Sequence, residues 1–161
     1  MIVRAFTLVE AIVTTVILSI IAAIVLPVLN GAADSFGASS QAERVVDDST
    51  YAINRVIRLL REAPQGGSPG TIGVTSLSSS SVVFTDQSGC RLSGGRLEIR
   101  PAGGTWGTLC DDVEAFELRA LDSTGADSSA SPEQTQRFEV RLLRGGLELR
   151  ASAFCRSRYG T

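Results

Sequence analysis

Three hydrophobic patterns succeed one another along the chain: an uncharged apolar run, a helical stripe, and, past Pro64, alternation. Nineteen residues lie from Ala11 to Leu29. As an α-helix they would extend about 28 Å at ~1.5 Å per residue, close to the ~30 Å of a bilayer hydrocarbon core. Ile12, Val13, Val16, Ile17, Leu18, Ile20, Ile21, Ile24, Val25, Leu26, Val28 and Leu29 are apolar around the whole circumference. A soluble amphipathic helix would keep a polar face. The run is therefore read as a membrane span rather than as a buried core helix. Thr14, Thr15 and Ser19 are expected to return their hydroxyls to the backbone of the preceding turn.

From Asn30 to Ala63 the same helix is predicted to continue in amphipathic form. Val45, Val46, Ser49, Ala52, Ile53, Val56, Ile57, Leu60 and Ala63 recur at three- and four-residue steps, with Arg44, Asp47, Asp48, Arg55, Arg58, Arg61 and Glu62 elsewhere on the surface. Such a stripe is most simply the face that docks on a sheet. The Gly31–Ser40 segment, rich in Gly, Ala and Ser, is a weaker stretch where a break or bend is expected. Pro64 and the Gly-rich residues after it end the helix.

Beyond Pro64, strands are predicted at Thr71–Leu77, Ser81–Asp86, Arg96–Arg100, Val113–Leu121, Arg137–Leu143 and Leu147–Phe154. Phe116, Leu118 and Ala120 alternate with Glu117, Arg119 and Leu121; Phe138, Val140 and Leu142 alternate with Glu139, Arg141 and Leu143. Ser93-Gly94-Gly95-Arg96 and Arg144-Gly145-Gly146-Leu147 read as hairpin turns, because paired glycines supply the positive φ that tight turns require. Asp122–Gln134 is long for a hairpin connection and is either a mobile or a contact loop, mobility being the simpler expectation. The fold class predicted is α+β, with one long N-terminal helix packed on a C-terminal antiparallel β-sheet.

Composition narrows the chemistry more than it suggests one. There is no His, which removes Ser/His/Asp and Cys/His nucleophilic arrangements and His-based zinc sites. Asp111, Asp112 and Glu114 lack the ligand spacing and central Gly of a calcium loop. Gly94-Gly95 and Gly103-Gly104 do not lead from a strand into a helix, so they are not phosphate-binding loops. No catalytic residue, metal or cofactor is expected, and a net charge of −2 gives no reason to expect nucleic acid as a partner. All 15 basic residues are Arg. Cys90, Cys110 and Cys155 lack the C-x-x-C spacing of redox or metal sites. Cys90 and Cys110 flank the Arg91–Arg100 hairpin, so chain return is expected to bring them into a disulfide, with Cys155 left over; the alternative is three buried thiols. Closing that loop of about 20 residues would stabilise an outward-facing domain by roughly 3 kcal/mol.

The order of features at the N-terminus argues for a retained anchor. In a secretory signal peptide the small-residue cleavage site follows the apolar run. Here Ala5 precedes it, so a cut at that point leaves the run attached. Arg4 is the only basic side chain before the span and predicts a cytoplasmic leader, with everything from Asn30 onward on the opposite side. Glu10 stands at the start of the apolar run, where a carboxylate is costly unless it lies at the interface or finds a cation. Pro27 removes one helix hydrogen bond and loosens the turn before it.

Ala5-Phe6-Thr7-Leu8-Val9-Glu10 resembles the processing site of type IV prepilins and type II secretion pseudopilins. The resemblance covers about the first 30 residues and departs in one place: Ala5 stands where Gly is usual. It implies that a prepilin peptidase cuts between Ala5 and Phe6 and methylates the Phe6 amine, and that Glu10 guides assembly. Pro27 falls where many members carry a helix-loosening proline. The resemblance also implies a division into a leader (1–5), a transmembrane and assembly half of the helix (6–29), an amphipathic half (30–63) and a globular β domain (64–161). The partners it implies are other pilin or pseudopilin subunits, the peptidase and an inner-membrane assembly platform, with the globular domain in the periplasm. Val113–Leu118, the acidic-glycine turn at 122–125 and Arg137–Leu143 are similar to the late strands of J-type minor pseudopilins and W-type minor pilins, with H- and I-type subunits as competitors. The alternative from a different class is a membrane-tethered binding module that holds a secreted substrate or surface ligand.

Overall fold

The structure, a computed structural model, describes residues 7–158. Helix α1 spans Leu8–Arg61 and is followed by eight strands: β1 (Val74–Ser78), β2 (Ser81–Phe84), β3 (Gly89–Ser93), β4 (Arg96–Arg100), β5 (Gly107–Cys110), β6 (Val113–Leu121), β7 (Arg137–Arg144) and β8 (Leu147–Phe154). The arrangement is α+β, as the change of period at Pro64 predicts. The chain divides into two compact units, 1–43 and 44–161.

In the first unit every described residue from Thr7 to Glu43 is exposed. Ser19 Oγ donates to Thr15 O at 2.8 Å, and Thr14 and Thr15 donate to the carbonyls one turn back at 2.8–3.0 Å. These hydroxyls are thereby satisfied without water, which is what a polar group on an apolar helix requires. Gly31–Ser40, expected as a break, is helical throughout. Two glycines each cost a helix only ~1 kcal/mol, and the alanines between them are the best helix formers.

The second unit holds the core. Ser49, Ala52, Ile53, Val56, Ile57 and Leu60 are the buried positions of α1, all from the predicted stripe, whereas Val46 lies outside. At roughly 1.5–3 kcal/mol for each large aliphatic side chain removed from water, this face outweighs the helix's own propensity as the reason it docks. The helix ends before Pro64, whose carbonyl is taken by Gly73 N at 2.8 Å.

The strands form two antiparallel sheets rather than one: β1-β2-β3-β4-β5 and β6-β7-β8. β3 and β5 are the strands absent from the sequence reading. They are five and four residues long, begin with glycine and carry no run of alternating apolar positions, so pairing rather than local preference makes them extended. Gly89 is required where β2 and β3 meet, since a Cβ there would lie 2.3 Å from Val82 O. Both predicted Gly-Gly turns are present, with φ of 57° and 74° at Gly94 and Gly95 and 56° and 75° at Gly145 and Gly146. Positive φ at both central residues is what a two-residue hairpin of the favoured twist needs.

Backbone bonds join the sheets. Leu118 N donates to Ser79 O at 2.7 Å and Val113 N to Gly95 O at 2.8 Å, so the serine-rich β1–β2 turn and the β3–β4 turn both brace β6. Phe84 of β2 meets Phe138 of β7 edge to face, with ring centroids 6.3 Å apart. The inward positions of β6 and β7 alternate as predicted, except that Leu121, placed on the outer face by its register, is buried. The Asp122–Gln134 segment covers it. Far from hanging free, that segment accepts three bonds at Asp122 Oδ1, bridges Leu121 to Asp127, and buries a Ser128–Thr135 hydroxyl pair at 2.8 Å. Its bonds are local side chain to backbone contacts, which composition alone does not reveal.

Candidate functional site

The residues expected to matter most lie at the start of α1. Ala5 and Phe6 fall outside the described residues. Thr7 and Glu10 do not, and they close a reciprocal pair. Glu10 N donates to Thr7 Oγ1 at 3.3 Å, while Thr7 N and Thr7 Oγ1 reach Glu10 Oε2 at 3.4 and 3.3 Å. With the helix beginning at Leu8, Thr7 is the cap and Glu10 the third helical residue. This is a capping box, in which two backbone donors with no partner inside the helix are satisfied by two side chains. The signal Thr-x-x-Glu before an apolar run was legible in the sequence, yet reading Glu10 only as a charge at a membrane boundary misses it. A carboxylate here also meets the positive end of the helix dipole.

From this cap onward the helix presents apolar side chains on every side. Leu8 is 79% exposed, and Val9, Ile12, Val13, Val16, Ile17, Leu18, Ile20, Ile21, Ile24, Val25, Leu26, Val28 and Leu29 are exposed too. α1 is long and apolar enough to cross a membrane. Pro27 sits inside α1, which continues through it.

The expected Cys90–Cys110 bridge is not formed. Both are buried free thiols on β3 and β5, and β4 runs between them, with Ile99 opposite Cys90 and Leu97 opposite Cys110. Two strands of separation is about 9.5 Å, beyond the ~7 Å that a disulfide spans between Cα atoms. The hairpin was foreseen, but β5 was not, and the strand placed between them is what parts the two sulfurs. Burial pushes the Cys90 thiol up to about 12, with only a hydrogen bond from the Val82 backbone acting the other way. Burial also raises Cys110, partly offset by the Arg144 guanidinium. Cys155 is buried beyond the end of β8 next to the Arg137 end of β7, whereas Arg144, near Cys110, ends β7 on the opposite side.

Asp111, Asp112 and Glu114 do not converge. Asp111 pairs with Arg96 at 3.1 Å, and Glu114 accepts the Gly146 N–H at 3.3 Å. Asp112 holds a turn at φ 57°.

The outer face of β6-β7-β8 carries a charge ladder. Arg141 donates to Glu117 at 2.9 Å and to Glu148 at 3.2 Å, Arg150 donates to Glu148 at 2.6 Å, and Arg137 lies 3.2 Å from Glu139. A shallow concavity of about 500 Å³ lies over it, lined by Glu117, Arg119, Glu139, Arg141 and Arg150 and by Val140, Ala151 and Ser152. Three arginines are set against two glutamates around it, so its net field on a ligand is weak. The two hydrogen-bonding guanidiniums, Arg141 first, hold the Glu148 carboxyl down to about 2. Trp106 lies against two more arginines, with Arg91 at 4.2 Å and Arg100 at 4.9 Å from the ring centre, which pins the β4–β5 loop onto the sheet.

Neither a scan against models of known protein families nor a search of curated proteins returns a match to this chain.

Proposed function

We propose that the chain is a prepilin-like structural subunit, held in the bacterial inner membrane by a single span and later assembled into a type IV pilus or type II secretion pseudopilus. The observation that carries this reading is the helix start. A capped N-terminus at Thr7-Leu8-Val9-Glu10 follows Ala5-Phe6 directly and opens a helix apolar on all sides to Leu29. A lone anchor needs the apolar length, but not a carboxylate at its mouth. On this reading a prepilin peptidase cuts after Ala5, the Phe6 amine is methylated, and the apolar surface packs against other subunits once it leaves the lipid. The domain from Arg44 onward faces the periplasm, and the work of the protein is assembly rather than catalysis.

The structure adds a discriminating variant. In an isolated subunit Glu10 serves its own helix, and a glutamine serves a capping box as well. In a filament the proposal gives its charge to the Phe6 amine of a neighbouring subunit. Leaving that amine unpaired in a packed interior costs roughly 3–5 kcal/mol. Glu10→Gln and Glu10→Ala are therefore both expected to insert and fold but to fail in crosslinking to other subunits. If Gln restores incorporation, Glu10 acts through the cap alone. Processing is read separately by mass spectrometry of protein from a native membrane with an active peptidase. A mature chain starting at methylated Phe6 supports the proposal; intact Met1 sinks it and leaves a plain signal anchor.

A further inference from the structure

The arginines of the second unit fall into two sets. Those on the strands are engaged: Arg91, Arg96, Arg119, Arg137, Arg141, Arg144 and Arg150 are all in ion pairs, and Arg100 donates to Gln87 O. Arg44, Arg55, Arg58 and Arg61 on α1, and Arg156 after β8, are in none among the described residues, and of these the last four lie together. Those four are exposed and gather around two adjoining clefts. One, of about 620 Å³, is lined by Asn54, Ile57, Arg58, Arg61, Glu62 and Arg156. The other, of about 180 Å³, is lined by Tyr51, Asn54, Arg55 and Arg58, with no carboxylate at all.

We propose that this surface docks an acidic segment of a partner protein. A chain of net charge −2 has carboxylates to spare, and it uses them on every strand arginine except Arg100 while leaving these four out of any ion pair among the described residues. The helix dipole favours cations only in the last turn, which accounts for Arg58 and Arg61 but not for Arg55 or Arg156. The spacing chooses the occupant. Arg55, Arg58 and Arg61 step along the helix by three residues, about 4.5 Å each, so the guanidiniums are spread over ~9 Å. One phosphate cannot engage such a row. An extended acidic peptide, which places several carboxylates within ~9 Å along its length, can. Each planar guanidinium fork suits a carboxylate bidentately. Tyr51, 62% exposed on the same face, and Asn54 supply the aromatic and amide groups that protein interfaces favour. Glu62 is the one carboxylate lining the larger docking cleft, and with Asp86 it also lines a further cleft on the other side of Arg58; four arginines against Glu62 keep the track from Tyr51 to Arg156 positive.

The test uses the full chain in neutral detergent micelles and a fluorescent octaglutamate peptide, followed by anisotropy, with octaglutamine as the neutral comparison. It does not depend on processing at Phe6, so its failure leaves the assembly reading standing. Binding of octaglutamate alone is expected, weakening as salt rises from about 50 to about 300 mM. The double variant Arg58→Glu/Arg61→Glu should lose at least about tenfold in affinity. Arg58→Lys/Arg61→Lys, which keeps charge but not the fork, should fall between. Arg96→Glu/Arg150→Glu changes net charge equally on the strands and should bind like wild type, circular dichroism confirming that each variant is folded. An equal loss in that control would reduce the effect to net charge and overturn the proposal. Displacement of the peptide by millimolar inorganic phosphate, or binding of phosphatidylglycerol vesicles with none of octaglutamate, would overturn it in favour of a small anion or a lipid surface.

Discussion

Ser49 offers the sharpest test of how α1 docks. It is 1% exposed, it lies in the buried stripe, and its hydroxyl has no hydrogen-bond partner among the described residues. A helical serine in an apolar setting usually bonds back to the carbonyl one turn earlier, as Ser19 does. A buried hydroxyl left unmade costs about 1–3 kcal/mol, and serine is ~0.5 kcal/mol poorer than alanine inside a helix. Ser49→Ala removes both costs and forfeits only the packing of one oxygen, so a net stabilisation of about 1–2 kcal/mol is expected. For a unit of this size that raises the melting temperature by roughly 4–8 °C. The assay is thermal unfolding of the full chain in detergent micelles, followed at Trp106, the only tryptophan. The reverse change one turn along, Ala52→Ser, puts a hydroxyl at a fully buried position and should lower the midpoint by a similar amount. An unchanged or lowered midpoint for Ser49→Ala would refute the reasoning, since it would mean that the hydroxyl has a bound water or another partner and contributes to docking.

Phe138→Ala empties a fully buried site and ends the edge-to-face contact that joins the two sheets, so a loss of about 3–5 kcal/mol is expected in the same melt; a loss under ~1 kcal/mol would mean that the sheets do not rely on this contact. Gly145→Ala meets φ 56° and a Val45 methyl 3.2 Å from the new Cβ, and should destabilise by about 1 kcal/mol or more, whereas an unchanged midpoint would show that this hairpin turn is not held against α1. Glu148 has its pKa lowered from 4.5 to about 2, so its stabilising contribution is present above about pH 4.5 and is lost as pH falls toward 2. The stability gap between wild type and Glu148→Gln should therefore narrow between about pH 6 and about pH 3, and a constant gap would count against the ladder. Cys90, fully buried with its thiol protonated at pH 8, should resist iodoacetamide until the chain unfolds; rapid alkylation of the native protein would contradict its place in the core.

What the chain declares by itself are the features that repeat along it. The apolar circumference from Ala11 to Leu29, the stripe from Ser49 to Leu60, and the alternation in β6 and β7 are periodic, and a period implies which face meets which solvent. The Gly-Gly turns are equally local, because positive φ at two successive residues leaves few alternatives. The capping box was written just as locally in Thr7 and Glu10 and was missed only because a different role was sought for the carboxylate. Tertiary structure decided everything that depends on what lies alongside. β3 and β5 are strands because β2 and β4 offer them hydrogen bonds, and their own residues carry no pattern that says so. That one unforeseen strand moved Cys110 two strands away from Cys90 and left both as buried thiols. Leu121 is covered because the loop after it folds back over an outward position. The division of arginines into paired and unpaired sets could not be read at all, since cross-strand register brings Arg141 to Glu117, while Arg58, with Glu62 lining the same cleft, forms no ion pair among the described residues.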